Sequence, residues 1–272
     1  MAGTWNFTQL YTFIGLSPEG SNPYGGVLRD ESGDLYGTTY YGGADCCGTV
    51  FRLSPSQNGW TASVLHSFRD KPDGAYPAAG IIRDTSGTFY GTTSEGGDGH
   101  CGDGEGDKAG CGTIFALTST QHRITETQLY DFQNNEENAP YAPLTFGPAG
   151  VLYGTAGYDV FELVPLDGGG WQKQVIYEFK EGIAGTITSS GVAMDAAGNL
   201  YGTTSSSGLD GFSTVYELSP PPQGSKKWTH HTLARLGNGL GGPQPRGGVL
   251  IGPDGTLYGV ASAQPGFVFA IR

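Results

Sequence analysis

Five copies of one short sequence word divide this chain into repeated units. The copies are DLYGTT at 34–39, TFYGTT at 88–93, VLYGTA at 151–156, NLYGTT at 199–204 and TLYGVA at 256–261. A unit of this length is one supersecondary element, which cannot bury its own apolar face and must stack on its neighbours. Because the units run from end to end of the chain, we predict a single domain over residues 1–272.

Each unit has the pattern of four short strands separated by turns. An apolar run precedes the LYG word, an aromatic run such as TVFRL at 49–53 follows it, and a nine-residue segment ending on Phe or Leu completes the unit. The 48 Gly and 16 Pro residues supply the backbone angles of tight turns between antiparallel strands. No stretch shows sustained helical periodicity. The pattern predicts an all-β fold of four-stranded antiparallel sheets.

The last unit lacks its fourth strand, and a matching strand stands alone at 5–13. A ring accounts for this split, because the N-terminal strand then completes the last blade and leaves no open sheet edge. We therefore predict a five-bladed β-propeller, closed by the N-terminal strand, with an open β-array as the alternative. The predicted blades are 24–68, 77–132, 141–179, 189–236 and 245–272, the last one completed by 4–13.

Residues that recur at one repeat position are predicted to be structural. The LYG tyrosines are expected to pack as buried rings, with their hydroxyls bonded between blades. Four tryptophans mark the outermost strands and are expected to cap the blade edges, with peripheral sugar sites as the alternative: Trp5, Trp60, Trp171 and Trp228. Function is therefore expected in residues that depart from the repeat.

The words GNLYGTT, GG, CGTVF and LSP, as in 199–204 and 47–55, resemble the Gloeo/Verruco-type propeller repeat of bacterial secreted and surface proteins. The resemblance covers essentially the whole chain. It implies a propeller in an extracellular or periplasmic setting, with the signal peptide absent from this sequence. The repeat carries no catalytic motif, and a shared fold does not settle function.

Composition excludes several kinds of partner. The 26 acidic and 14 basic residues give a net charge of −12, which works against binding nucleic acid or an anionic membrane surface. No apolar run is long enough to span a bilayer. We expect a monomer that binds a carbohydrate or another small neutral ligand, with no nucleic-acid or membrane partner and no required cofactor.

Loops on one rim of the predicted propeller vary, whereas the turns on the other rim are uniformly short, and function on repeat scaffolds lies where loops vary. The aromatic residues of the variable rim do not follow the repeat: Tyr24, Tyr40, Tyr41, Tyr76, Tyr141, Tyr158 and Phe212. Flat rings stack on sugar faces, while amide and guanidinium groups bind hydroxyls. We predict a ligand site formed by Tyr24, Tyr41, Tyr76, Tyr141, Tyr158 and Arg246. The alternative for each tyrosine is packing onto a neighbouring loop.

An enzyme acting on polysaccharides is the alternative function. Hydrolysis of a glycosidic bond needs two carboxylates that face each other across the substrate. The aligned starts of the innermost strands carry no acid, so a hydrolase or lyase would depend on loop acids such as Glu95, Asp159 and Asp210. No motif for nucleophilic catalysis is present, and the catalytic residues stay unassigned. A protein-interaction scaffold is the third hypothesis.

Four cysteines allow three pairings, of which Cys46 with Cys47 and Cys101 with Cys111 is the simplest. A cross-loop pairing, free thiols and a zinc site that includes His100 are the alternatives. Disulfides suit a protein of an oxidising compartment.

An acidic, glycine-rich run lies between the last two cysteines, with Asp103, Glu105 and Asp107 at alternate positions. Alternating carboxylates on such a turn can converge on one hard cation. The run predicts a structural calcium site, and a solvated acidic loop is the alternative.

Overall fold

A computed structural model of the chain shows five antiparallel sheets arranged as blades in a ring. The structure describes residues 6–15, 18–99, 101, 110–120, 123–133, 139–179, 188, 190–205, 212–237, 244–245, 247–262 and 266–272. Apart from one short 3-10 turn at Pro148–Gly150, the elements in these ranges are strands. The prediction of an all-β, five-bladed propeller is confirmed. Within the same ranges, no helix is long and apolar enough to cross a bilayer.

The first two blades are numbered in chain order. Blade 1 contains β1 (Ser21–Pro23), β2 (Leu28–Arg29), β3 (Leu35–Tyr41), β4 (Thr49–Ser56) and β5 (Gly59–Ser67). Blade 2 contains β6 (Ile82–Arg83), β7 (Phe89–Thr93), β8 (Thr113–Thr120) and β9 (Arg123–Asp131). In blade 1, β2 pairs with the start of β3 and β1 pairs with its end, so this sheet has one strand more than the repeat predicts.

The other three blades keep four strands each. Blade 3 contains β10 (Thr145–Phe146), β11 (Leu152–Ala156), β12 (Asp159–Pro165) and β13 (Trp171–Glu178). Blade 4 contains β14 (Ala193–Met194), β15 (Leu200–Thr204), β16 (Ser213–Ser219) and β17 (Thr229–Leu236). Blade 5 contains β18 (Gln244–Pro245), β19 (Leu250–Ile251), β20 (Leu257–Ser262) and β21 (Phe267–Ile271).

The core lies between the blades, in clusters at the joints of blades 1 and 2, 2 and 3, 3 and 4, and 4 and 5. Blade 5 is more open on its other face, where Val260 and Val268 are exposed. One aliphatic position in the third strand is fully buried in four blades, at Val50, Ile114, Val160 and Val215. The LYG motif in the preceding strand is followed by a threonine whose hydroxyl donates a hydrogen bond to the next blade. Thr38 donates to the carbonyl of Ala79 at 2.8 Å, and the threonines of blades 2, 3 and 4 repeat this bond.

Two of the repeated tryptophans pack against the preceding blade, as the structural interpretation predicts, while Trp5 lies outside the described residues. Trp171 packs on Tyr90 of the preceding blade with ring centres 6.4 Å apart, and Trp228 packs on Tyr153 at 5.9 Å.

Among the LYG tyrosines, Tyr36 and Tyr153 are buried, but Tyr258 is 39% exposed, so the prediction of a buried ring is wrong in blade 5. The prediction that the hydroxyls of the LYG tyrosines form hydrogen bonds between blades is wrong. Three LYG tyrosines instead donate to an aspartate of their own blade, each at 3.0 Å: Tyr36 to Asp30, Tyr90 to Asp84 and Tyr201 to Asp195. The aspartate stands just before the tight turn, which brings its carboxylate to the phenol.

The N-terminal segment does not form the predicted outer strand of blade 5 and instead contacts blade 1. Residues 6–14 form no ladder with β21. The ring of Phe13 nevertheless lies 4.8 Å from that of Phe51 in blade 1, much as Phe68 of blade 1 lies 5.1 Å from Phe115 of blade 2. In the described residues, the segment is therefore attached to blade 1 by side-chain packing and not to blade 5 by strand pairing.

Candidate functional site

A cavity of about 1080 Å³ lies at the centre of the five blades on the variable rim. Its wall contains the innermost segments of every blade, at 24–28, 78–81, 141–143, 190–192 and 247–249. Gly25 permits the close approach of two of these segments, because a Cβ there would lie 2.3 Å from the backbone nitrogen of Gly80. The volume is at the upper end of the range for small-ligand sites.

Two tyrosines reach this cavity because β3 is longer than its counterparts in the next three blades. The strands β7, β11 and β15 end with the last residue of their LYG motif, at Thr93, Ala156 and Thr204, whereas β3 continues through Tyr40 and Tyr41. The extra strand β1 pairs with this extension, with Ser21 opposite Tyr41. Successive side chains of a strand point to opposite faces, so Tyr40 is half-buried while Tyr41 is 43% exposed.

Four tyrosine rings meet at this edge of the cavity and are called the tyrosine cluster: Tyr24, Tyr40, Tyr41 and Tyr76. The ring of Tyr40 lies 4.7 Å from that of Tyr41, 5.2 Å from that of Tyr76 and 5.8 Å from that of Tyr24. These separations are those of favourable aromatic pairs. Tyr40 is thus the centre around which the other three rings pack.

Tyr76 is held in an unusual backbone conformation, with φ of 56°. The left-handed region costs a bulky residue about 1–2 kcal/mol and persists only where the surroundings impose it. Here the Tyr76 amide donates to the carbonyl of Cys47 at 2.8 Å, and the Tyr76 carbonyl accepts from the amide and the hydroxyl of Ser94. Asn22, which also lines the cavity, has φ of 55°. Backbone outliers of this kind concentrate at functional sites.

Both disulfides follow the simplest predicted pairing, Cys46 with Cys47 and Cys101 with Cys111. The described part of the chain contains no free cysteine. The first disulfide lies in the loop that follows Tyr41, and the second lies in the loop between β7 and β8. Because the carbonyl of Cys47 binds the amide of Tyr76, the first disulfide belongs to the support of the tyrosine cluster.

Three tyrosines of the site, Tyr40, Tyr76 and Tyr141, have pKa values raised above the ordinary value, so their hydroxyls stay protonated at neutral pH. Burial raises the pKa of Tyr40, Tyr76 and Tyr141, and the negative charge of Glu95 raises the pKa of each further, while a hydrogen bond with Ser94 partly offsets the effect at Tyr40. A protonated phenol both donates and accepts a hydrogen bond. The site therefore offers a ligand aromatic faces and neutral hydroxyls.

Glu95 approaches the cluster because its backbone pairs with the residue before Tyr76. The Ala75 amide donates to the Glu95 carbonyl at 2.7 Å, and the Glu95 amide donates to the Ala75 carbonyl at 3.1 Å. Glu95 is one of the loop acids on which the alternative enzyme hypothesis depends. Its negative charge raises the pKa of Tyr40, Tyr76 and Tyr141, which is consistent with a carboxylate close to these rings.

The predicted site residues fall into three groups. Tyr24, Tyr41 and Tyr76 lie together in the cluster, and Tyr141 lines the same cavity from blade 3. Tyr158 lies apart: it is not among the residues of the cavity wall, and its carbonyl accepts from the amide of Phe179. The predicted residues Arg246, Asp103, Glu105 and Asp107 lie outside the described residues.

Sequence reasoning placed Tyr40 on the variable rim but left it out of the predicted site. A double tyrosine directly after an LYG word occurs only in the first unit, and this departure from the repeat was the available signal. Its central position depends on Tyr76, which comes from the segment between two blades, so spacing alone did not reveal it.

A pair of catalytic carboxylates is not part of the described cavity wall, which contains no Asp or Glu. Of the other predicted loop acids, Asp159 begins β12 and Asp210 lies outside the described residues. Within the described ranges, no group of three or more His, Cys, Asp or Glu residues has the arrangement of a metal site.

Solved structures share this fold at low sequence identity. A virginiamycin B lyase from Staphylococcus aureus is 15% identical, with a TM-score of 0.53 over 92% of this chain and 70% of its own. A gluconolactonase from Xanthomonas campestris is 14% identical, with a TM-score of 0.52 over 90% of this chain and 71% of its own. A glucose dehydrogenase is 16% identical, with a TM-score of 0.53 over 92% of this chain and 82% of its own. Such identities show the fold alone.

No curated protein matches the chain. The Gloeobacter/Verrucomicrobia repeat matches residues 3–161, more than half of the 272 residues and a stretch that contains three of the five LYG words. The chain therefore belongs to the Gloeobacter/Verrucomicrobia repeat family.

Proposed function

We propose that this protein is a secreted carbohydrate-binding propeller whose site is the tyrosine cluster together with Tyr141. One observation carries the proposal: exposed tyrosine faces, held against each other at a central cavity. Tyr24 is 72% exposed, Tyr41 43% and Tyr141 53%, in a fold that buries most of its repeated rings. Rigid aromatic faces of this kind stack on the apolar face of a sugar.

Polar groups for the sugar hydroxyls are present beside the rings. The protonated hydroxyls of Tyr40 and Tyr141 both donate and accept, and the exposed amide of Asn22 adds a further donor and acceptor. The absence of Asp and Glu from the described wall supports binding over hydrolysis. The two disulfides support an extracellular or periplasmic location, where disulfides persist. We expect the protein to bind as a monomer without a required cofactor.

Binding to a glycan array, followed by calorimetry on the best glycan, tests this function. Tyr41→Ala and Tyr141→Ala each remove one exposed ring and are expected to weaken binding about tenfold, since an aromatic contact contributes about 1.4 kcal/mol. Tyr158→Ala is the matched control, because its ring is not part of the cavity wall. An array without binding, or an equal loss in the control, would contradict the proposal.

A polysaccharide-active enzyme is the second candidate, and the charge of Glu95 on three tyrosines of the site favours it. A carboxylate beside a substrate can transfer protons. The test is incubation with a polysaccharide panel, followed by measurement of new reducing ends and of unsaturated products. Product release that disappears in Glu95→Gln, together with an empty array, would replace the binding function by the enzyme. If both experiments are negative and a bait screen recovers a protein partner, the scaffold hypothesis replaces both.

A further inference from the structure

Two acidic residues lie beside the tyrosine cluster: Asp70 is in the segment between blades 1 and 2, and Glu95 pairs through its backbone with Ala75, the residue before Tyr76. The negative charge of Glu95 raises the pKa of Tyr40, Tyr76 and Tyr141, and the charge of Asp70 also raises the pKa of Tyr76. Neither Lys nor Arg is among the residues that line the cavity in the described part of the chain. The whole chain carries a net charge of −12, which adds a long-range field of the same sign.

Aromatic faces attract cations as well as sugar faces. A ring carries negative charge above its plane, and an ammonium group within about 6 Å of the ring centre is bound by it. Tyr40 and Tyr76 are nearly parallel, at 22°, while Tyr41 stands at 84° to Tyr40, so the cluster presents faces in more than one direction. A nearby carboxylate strengthens the attraction for the same ammonium.

We infer that this site prefers sugars that carry a protonated amine, such as glucosamine units, over neutral sugars. The inference rests on the proposed carbohydrate-binding function and names the class of its ligand. The pyranose stacks on the exposed rings, while the ammonium group lies towards the cluster and Glu95. A neutral hydroxyl or an acetylated amine at the same sugar carbon forms the stacking contact without the charge contact.

Three hexasaccharides with the same β-1,4 backbone separate these contacts: the glucosamine hexamer, the N-acetylglucosamine hexamer and cellohexaose. They differ only in the group at carbon 2, which is an ammonium, an acetamide or a hydroxyl. At about pH 5.5 we expect the glucosamine hexamer to bind about tenfold tighter than cellohexaose, and this preference to shrink with added salt and with deprotonation of the amine at about pH 8.5.

Paired variants separate the site from the general acidity of the surface. Glu95→Gln is expected to lower the preference for the glucosamine hexamer over cellohexaose about fivefold, and its circular dichroism spectrum and thermal unfolding are compared with those of the parent to show that the variant is folded. Glu31→Gln is the matched control: it removes the same charge from an exposed position in the tight turn of blade 1. Tyr41→Ala is expected to weaken binding of all three hexasaccharides, because each depends on stacking.

Each other outcome has a distinct meaning. Equal affinity for the three hexasaccharides would overturn the amine preference and leave carbohydrate binding intact. An equal loss in Glu31→Gln and Glu95→Gln, or glucosamine binding that survives Tyr41→Ala, would overturn it by showing non-specific attraction to an acidic surface. If none of the three binds, the inference fails. The proposed function then fails with it only when the glycan array is also empty.

Discussion

At the scale of single residues, the joint between blades 1 and 2 contains a carboxyl group with a displaced pKa. Burial raises the pKa of Glu126 from its ordinary value of 4.5 to about 7, the charge of Asp73 adds to this, and His66 and Arg69 oppose it. Its Oε1 atom is buried without a hydrogen-bond partner. The folded protein holds the Glu126 proton between about pH 4.5 and pH 7, so this group makes folding less favourable as pH rises through that window.

Glu126→Gln removes this dependence while it keeps the shape of the side chain. We expect the variant to be more stable than the parent by about 1 kcal/mol at pH 8, a value reduced from the full shift because the group is only partly buried, and nearly unchanged at pH 4.5. Chemical denaturation at the two pH values measures the difference, with exposed Glu178→Gln as the control. A gain of the same size at both pH values would contradict the assignment.

At the scale of elements, the loop between β7 and β8 is closed by the disulfide of Cys101 with Cys111. A disulfide that encloses a loop stabilises a protein mainly by restricting the unfolded chain. These two cysteines are 10 positions apart, whereas Cys46 and Cys47 are adjacent and enclose no residue between them. The two disulfides are therefore expected to contribute differently.

The double variant Cys101→Ser/Cys111→Ser is expected to lose about 2–3 kcal/mol of unfolding free energy. Cys46→Ser/Cys47→Ser serves as the comparison, with a smaller expected loss of stability. Glycan binding is expected to weaken, because the disulfide fixes the backbone whose carbonyl, at position 47, accepts from the Tyr76 amide. Denaturant titration and calorimetry measure the two effects. Equal losses of stability in the two double variants would contradict the loop-closure explanation.

The strands of each blade could be predicted because they repeat along the chain. The site could be predicted only in part, because its residues lie where the chain departs from the repeat. The LYG strand and the strands beside it were predictable because each unit repeats the same buried positions, as at Val50 and Ile114. The strand β1 is not one of the four strands predicted for each unit, and within the described residues its counterpart is β18 of blade 5, which pairs with the end of β20. The extension of β3 was therefore not foreseen. The left-handed backbone of Tyr76 depends on contacts with two other loops, which no local pattern encodes.

At the scale of the whole molecule, the joint between blades 5 and 1 differs from the other joints. Val268 is 75% exposed, although its counterparts in the other blades are fully buried. Val260 replaces the threonine that donates to the next blade elsewhere, so this joint lacks that bond. The joint between blades 5 and 1 therefore lacks buried contacts and a hydrogen bond that stabilise the other joints, and the contact of Phe13 with Phe51 lies beside it.

The aromatic end of the N-terminal segment keeps the geometry of an outer strand. The rings of Tyr11 and Phe13 lie 5.1 Å apart at 73°, and those of Tyr177 and Phe179 in β13 and just after it lie 4.9 Å apart at the same angle. We expect Phe13→Ala to lower the unfolding free energy by about 1–3 kcal/mol, because the contact with Phe51 is lost. Thermal unfolding measures the change, and Phe7→Ala, at a residue 93% exposed, is the control. An unchanged Phe13→Ala variant would show that the segment does not support the ring.

The most direct test of the central claim is nuclear magnetic resonance of ring-labelled tyrosine and tryptophan during titration with the best glycan. Assigned signals of the tyrosine cluster and of Tyr141 are predicted to shift, while those of the repeated LYG tyrosines and of the tryptophans at the blade edges stay in place. Shifts at the repeated tyrosines or tryptophans, with the cluster unchanged, would contradict binding at the central cavity.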